Sequence, residues 1–513
     1  MLLQSRFPAP SCHARQSFVS SILIALVLSA TLLSGCAAVG PDFQHPAAPE
    51  ASRYTETPLA KQTESSEGTG GNPQKFIDGQ DIPAQWWQVF HSAALNDLIT
   101  RGLAHNQTLE ASQAALRQAQ ENLRAEIGSA YYPSVTGSVG VQRERSSTAG
   151  LGVSGGGARE FTLFNPSLNI SYTLDIFGGA RREVEALRAL VDFQQFELQA
   201  SQLTLTSNIV TSAITQASLR AQIQATNELI ASQEDELKVI QTQFDLGGAS
   251  GSDVLTQKTQ LAQTRAKLPP LETQLAQSRN ALAVLIGVVP EQGNLPDFDL
   301  EKLQLPTELP LSLPAELVRQ RPDVRASEAL LHQASAQIGV ATANQFPSLT
   351  LSGSLGSTAS KASDLFSSGT GVWSIGANLL GPIFNAGSLS AKRRAAVAAY
   401  DQVGAQYRQT VLQSYQNVAD TLRALEGDAR SLQAQTDAEL AARDSLRLTE
   451  SQYRLGGVSY LLLLNAQRQY QEARISRIQA QASRYADSAA LFQALGGGWW
   501  NHTDTPIDTA STH

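Results

Sequence analysis

Few side chains in this 513-residue chain are placed to make or break a bond. Its two cysteines, Cys12 and Cys36, both lie near the N-terminus, so no disulfide framework is available. The one thiol in a distinctive setting is Cys36, preceded by Leu33-Ser34-Gly35. Histidines His45, His91, His105, His332, His502 and His513 are scattered with no metal-ligand spacing between them. Gly496-Gly497-Gly498 is followed by neither a lysine nor a helix pattern, so it reads as a turn near the chain end rather than a phosphate loop. No catalytic constellation forms, and the expectation is a protein that is not an enzyme and needs no metal. The chemically loaded positions gather instead in two matching phrases, QFDLGGAS at Gln243–Ser250 and QYRLGGVS at Gln452–Ser459. Asp245 and Arg454 are equivalent in the two, so one position carries opposite charges.

The elements that hold these phrases follow from their flanks. Leu-Gly-Gly is a helix stop, because glycine just past a helix takes left-handed angles without a Cβ penalty. Ser250 and Ser459 are then ready to cap the next helix. Each phrase is the expected tip of a long helical hairpin. The offset of 209 residues between Gln243 and Gln452 persists downstream, where Ala281-Leu282 and Gly287 align with Ala490-Leu491 and Gly496. A period this long is a duplicated module. Proline-free runs at 180–244 and 388–455 lead into the tips, and each would span roughly 100 Å as a helix, too long for a globular core. Return helices at 252–286 and 460–495 follow, the first interrupted by Pro269-Pro270.

Before each rod the pattern changes period. A helical stretch at 85–131 ends at Pro133, after which Val135, Val139 and Val141 alternate with small polar residues. Leu168, Ile170, Tyr172 and Leu174 alternate with Ser167, Asn169, Ser171 and Thr173 beyond a glycine-rich loop at 150–157. In the second module Leu349, Leu351 and Leu355, then Trp373, Ile375, Ala377 and Leu379, repeat the pattern after a helix at 321–344. Alternation over about 10 positions fits a transmembrane β-strand, and equally a half-buried soluble hairpin. Four strands cannot close alone, and an open sheet edge cannot sit in lipid, so membrane strands would require several copies of the chain.

The N-terminus reads as an address. Arg6 and Arg15 precede the apolar run 18–33, which suits a signal peptide and is short for a spanning helix. Small residues before Cys36 resemble the lipobox of bacterial lipoproteins, which implies cleavage and a covalent lipid (N-palmitoyl, S-diacylglycerol) on Cys36; an uncleaved anchor with an incidental cysteine is the alternative. Ala37 after the cysteine favours the outer membrane by the same likeness. The expected organisation is a signal peptide over 1–35, an acylated extended tether over 36–83, a first repeat over 84–289, a Pro-rich connector over 290–313, a second repeat over 314–499 and a disordered tail over 500–513. A net charge of −8 without a basic stretch argues against nucleic acid.

The lipobox-like Leu33–Cys36, Val39-Gly40-Pro41-Asp42-Phe43, Arg321-Pro322-Asp323-Val324, Phe346-Pro347, Pro382-Ile383-Phe384-Asn385-Ala386-Gly387, both Leu-Gly-Gly tips, Asn465-Ala466-Gln467-Arg468 and Ala494-Leu495-Gly496-Gly497-Gly498-Trp499 together resemble the outer membrane factor family, TolC-like channels, and within it the NodT-type lipoproteins of resistance-nodulation-division (RND) efflux systems. The resemblance covers about residues 33–500. It implies an α+β homotrimer, four strands per chain in a shared outer-membrane β-barrel continuous with a periplasmic α-helical barrel. It implies docking on a periplasmic adaptor and an inner-membrane RND pump, and passive export of small toxic compounds. The exit channel of a type I protein-secretion system and a poreless lipid-anchored coiled-coil scaffold are the rival functions.

Within that frame the tips form the candidate periplasmic gate. Leu461 and Asn465, four apart, share a helix face and would make an apolar ring beside a polar one; ordinary hairpin packing of Leu461–Leu464 is the competing reading. The family often has Asp where Asn465 stands, which puts an acidic selectivity ring in doubt. Asp253 supplies a nearby acid, but Ser250-Gly251-Ser252-Asp253 also fits a capping box. Asp245, Tyr453 and Arg454 are read as a latch between neighbouring hairpins, against the alternative of solvated surface charges.

Overall fold

The computed structural model describes residues 38–147 and 158–501. The signal segment with Cys12 and Cys36, the glycine-rich loop, and His502 and His513 in the C-terminal tail lie outside these residues. The elements, in chain order, are β1 (Lys75–Asp78), α1 (Ala93–His105), α2 (Gln107–Tyr131), β2 (Ser134–Ser147), β3 (Ala158–Leu174), α3 (Gly179–Asp245), α4 (Gly251–Ala266), α5 (Leu268–Leu285), β4 (Glu308–Leu311), α6 (Pro314–Gln320), α7 (Pro322–Ala343), β5 (Ser348–Ser357), β6 (Gly371–Leu380), α8 (Ser388–Arg454) and α9 (Tyr460–Ala494). The two rods, α3 and α8, are 67 residues each. Among the described residues no helix is long and apolar enough to cross a membrane.

Two compact units divide the chain. The first comprises 38–45, 118–191 and 329–404 and contains an antiparallel sheet in the order β2-β3-β5-β6. Its registers put Thr136 beside Asn169, Asn169 beside Ser354, and Ser354 beside Ser374. On that face the hydroxyls bond across strands, Ser138 to Ser167 at 2.9 Å, Thr173 to Thr350 at 3.0 Å and Ser354 to Ser374 at 2.8 Å. The opposite face carries Val135, Ile170, Leu168, Leu355, Trp373, Ile375 and Leu379. These are not covered: Trp373 is 72% exposed and Ile375 83%. Among the described residues, β2 and β6 each have one edge with no strand partner. A soluble hairpin buries its apolar face, so this sheet is built to meet an apolar solvent.

The second unit comprises 46–117, 192–328 and 405–501. Its core gathers Ile82, Trp86, Phe90, Leu95, Leu98 and Ile99 against Tyr485 and Phe492, with Trp86 stacked on Phe492 at 5.4 Å. Two expectations need amending here, and a third gains detail. The helix at 85–131 is broken at Asn106, whose Oδ1 caps the Leu109 amide at 3.0 Å while its Nδ2 donates to the Leu285 carbonyl at 2.9 Å. The Pro-rich connector at 290–313 contributes β4, which pairs in parallel with β1 of the N-terminal segment. That segment is correspondingly no loose tether, since Arg484, fully buried, donates to Thr63 Oγ1 (2.8 Å), Glu64 O (3.4 Å), Gly70 O (3.1 Å), Asn72 O (2.8 Å) and Gln74 Oε1 (3.3 Å). Five contacts from the three nitrogens of one guanidinium hold a polar, glycine-rich segment, a requirement invisible to periodicity.

Candidate functional site at the helical tips

Both hairpin tips close by the same backbone device. After α3, Gly247 at φ +80° donates to Phe244 O (2.9 Å) and Gly248 to Gln243 O (2.7 Å). After α8, Gly456 at φ +72° donates to Tyr453 O (2.9 Å) and Gly457 to Gln452 O (2.8 Å). These paired bonds satisfy the last carbonyls of each rod, and only glycine takes the left-handed position cheaply. The duplicated phrases therefore fold alike.

Their side chains do not behave alike. Ser250 and Asp253 form a full capping box: the Asp253 amide donates to Ser250 Oγ (3.1 Å) and the Ser250 amide to Asp253 Oδ2 (3.0 Å). The Ser250 hydroxyl and amide hold the Asp253 carboxyl below the usual range. Asp253 is thus occupied as a cap within its own helix. Ser459 has no such partner, because Leu462 stands where Asp253 would. Of the four leucines after it, Leu463 and Leu464 are buried with Ile240, Val254 and Tyr460, whereas Leu461 is 62% exposed. Hairpin packing therefore uses Leu463 and Leu464 and leaves Leu461 facing outward. Asn465 accepts a long bond from Arg468 (3.5 Å).

Asp245 and Arg454 each turn to a neighbour one helical turn back. Gln241 Nε2 donates to Asp245 Oδ1 (3.2 Å), and Arg454 lies 3.9 Å from Glu450. Within one chain they do not pair. Tyr453 packs against Tyr460, their rings 5.5 Å apart, and burial beside Asp253 and Glu236 pushes its hydroxyl pKa up.

Behind the tips lies a polar layer that the sequence does not announce. Glu236 on α3 accepts from Gln467 Nε2 on α9 and from Gln257 Nε2 on α4 (3.3 Å). Gln257 also donates to Gln233 O (2.9 Å), and its Oε1 accepts the Tyr460 hydroxyl. Three helices are thus tied through one half-buried carboxyl. Burial drives Glu236 up to about 7; Glu450 adds to the rise, and Gln467 and Gln257 oppose it. In helices this rich in glutamine, Gln257 and Gln467 look like surface residues. The one available signal is that Glu236 sits four before buried Ile240, on the inward stripe.

The family model described as outer membrane efflux protein matches residues 98–288 and 313–497. The chain belongs to the outer membrane efflux protein family. It is 32% identical over 493 residues to the probable efflux pump outer membrane protein TtgC of Pseudomonas putida KT2440, covering 95% of this chain and 98% of that protein. It is 28% identical to the probable outer membrane lipoprotein SilC of Salmonella typhimurium, covering 91% of this chain and 97% of SilC. The fold matches the outer-membrane channel OprN with a TM-score of 0.80 at 28% identity, over 90% of this chain and 99% of OprN. These relatives are outer-membrane channel proteins rather than enzymes. This outer membrane efflux protein is accordingly a channel of the outer membrane, with an α+β fold of the TolC-like kind.

Proposed function

We propose that three copies of this efflux protein assemble into the exit duct of a tripartite RND-type system, passing small toxic compounds from a periplasmic adaptor and inner-membrane pump to the exterior. The observation that carries this reading is the sheet: four strands, two bare edges, one apolar face and one face of Ser, Thr and Asn. Backbone groups at the bare edges must be paired in hydrocarbon, and edge-to-edge closure of three sheets gives twelve strands around a polar lumen. α3, α8 and the two return helices then give twelve helical passages for a helical conduit, two duplicated modules per chain. Detergent-purified protein should have the mass of a trimer and conduct ions in planar bilayers. A folded monomer that conducts, or a trimer that does not, refutes the duct.

Two finer features belong to the same reading. Cys36 carries the lipid after signal cleavage, which labelling with radioactive fatty acid tests: the wild type should be marked and Cys36→Ala should not, and equal labelling refutes it. At the other end, Asp245 and Arg454 of neighbouring hairpins pair beside Tyr453 as a latch, with Leu461 and Asn465 lining the constriction. The outward aim of Leu461 and the absence of a competing acid at Asp253, already used as a cap, support that arrangement.

A further inference from the structure

Arg182 sits in the first turns of α3, where a helix dipole disfavours positive charge, and its side chain is only 5% exposed. Asp42 (2.7 Å) and Glu185 (2.7 Å) neutralise it. The same guanidinium reaches three consecutive carbonyls of the N-terminal segment: Nε donates to Val39 O (3.1 Å), and Nη2, which also bonds Asp42, shares its hydrogens with Ala38 O (3.5 Å) and Gly40 O (3.4 Å). The Val39 amide donates in turn to Phe177 O (3.0 Å), and Phe43 stacks on His332 at 4.4 Å, itself bonded to Glu185 (3.0 Å).

The seat for this segment is cut from glycines on three different elements. A Cβ on Gly40 (φ +96°) would fall 2.4 Å from Gly339 Cα on α7. A Cβ on Gly339 would fall 2.7 Å from Arg182 Cγ, and one on Gly178 (φ +78°) 2.4 Å from Ala38 Cα. Contacts this short leave no room for any side chain at the three positions. A buried guanidinium and three matched clearances are more than a passing leader sequence needs.

We propose that residues 38–42 are a seated anchor segment and that Arg182 is the positioning residue fixing where the lipid on Cys36 enters the bilayer, beside the foot of β3. Phe177 and Gly178 follow immediately on the end of β3 at Leu174, and Cys36 precedes Ala38 by two residues, a reach of at most about 7 Å. The acyl chains are therefore delivered against the protein's own strand wall instead of on a slack leash. This rests on the acylation of Cys36 proposed above, and its partner is the phospholipid leaflet.

The test uses the full, membrane-assembled protein with a bimane label on Gln44→Cys, read by hydrogen exchange over 38–44 and by quenching with headgroup-nitroxide phospholipid. Wild type should be protected and quenched. Arg182→Gln should exchange at least tenfold faster over 38–44 and lose most of its quenching, while fatty-acid labelling and trimer mass stay as in wild type. Gly339→Val, which keeps the guanidinium but pushes a side chain against the Arg182 stem and so displaces it from the segment, should do the same, and guards against an effect of the lost charge alone in the first variant. Exchange and quenching within twofold of wild type in both variants overturn the proposal. Absence of fatty-acid label from the wild type overturns it through the acylation reading instead, and the two failures are told apart by the label.

Discussion

Glu236 makes the tips of this channel sensitive to pH, in a direction the geometry fixes. Its carboxyl ties α3 to α4 and α9, with Glu450 and Tyr453 facing it from α8 and Tyr460 from α9; Asp253 on α4 acts on those two tyrosines. Burial is the largest influence and raises it from an ordinary 4.5 to about 7. A raised carboxyl opposes the folded hairpin when ionised. Below 4.5 both the closed and the unravelled hairpin hold the proton, and nothing is lost. Between 4.5 and 7 the unravelled form ionises first, so the penalty grows across that window and is complete above it. The full displacement corresponds to about 3 kcal/mol. Solvent still reaches part of this carboxyl, so about 2 kcal/mol is the working figure, roughly thirtyfold in the local opening equilibrium.

Glu236→Gln keeps the shape, can still bond Gln257 and Gln467, and removes the charge. Amide exchange over 233–240 and 460–467 should therefore be the same in wild type and variant at pH 4, and roughly thirtyfold slower in the variant at pH 8. A wild-type tip equally protected at both pH values, or a variant as pH-dependent as the wild type, would refute the assignment of the switch to this carboxyl.

Other outcomes follow from the same contacts. Asp428 is raised by burial and by the neighbouring Asp487 carboxylate, so Asp428→Asn should increase heat resistance above neutral pH and leave it unchanged in acid; a loss at alkaline pH would be the contrary result. Replacing Arg484 by Met strands the carbonyls of Glu64, Gly70 and Asn72, at a cost of about 2–4 kcal/mol, and limited proteolysis should then cut within 61–75. For the latch, leak of a large antibiotic through Asp245→Ala, Arg454→Ala and the double variant separates the readings. Singles each as leaky as the double show coupling, and additive or absent effects leave two surface charges.

What the sequence makes legible here is what repeats or alternates. The tips could be read to the residue, because Leu-Gly-Gly has one cheap backbone solution and occurs twice. The strands could be read because period two survives in Ser, Thr and Asn against Val, Leu and Trp, and the bare apolar face then decides between membrane and soluble hairpin. What periodicity misses are the single polar side chains that fasten one element to another. Arg182, Arg484 and Glu236 each look like an ordinary surface charge on a glutamine- and alanine-rich helix. Each is instead buried or half-buried, and each joins segments far apart in the chain: Arg182 reaches back about 140 residues to Asp42, and Arg484 more than 400 to Asn72. A helix 67 residues long has no core of its own to announce which of its polar residues turn inward. The same reasoning corrects the N-terminal segment. Its proline- and glycine-rich composition describes the freedom of residues 38–83 before folding, and the partners that remove that freedom are written elsewhere, in α3, α7 and α9. A composition that reads as slack is therefore compatible with a fixed strap whenever buried arginines wait for its carbonyls.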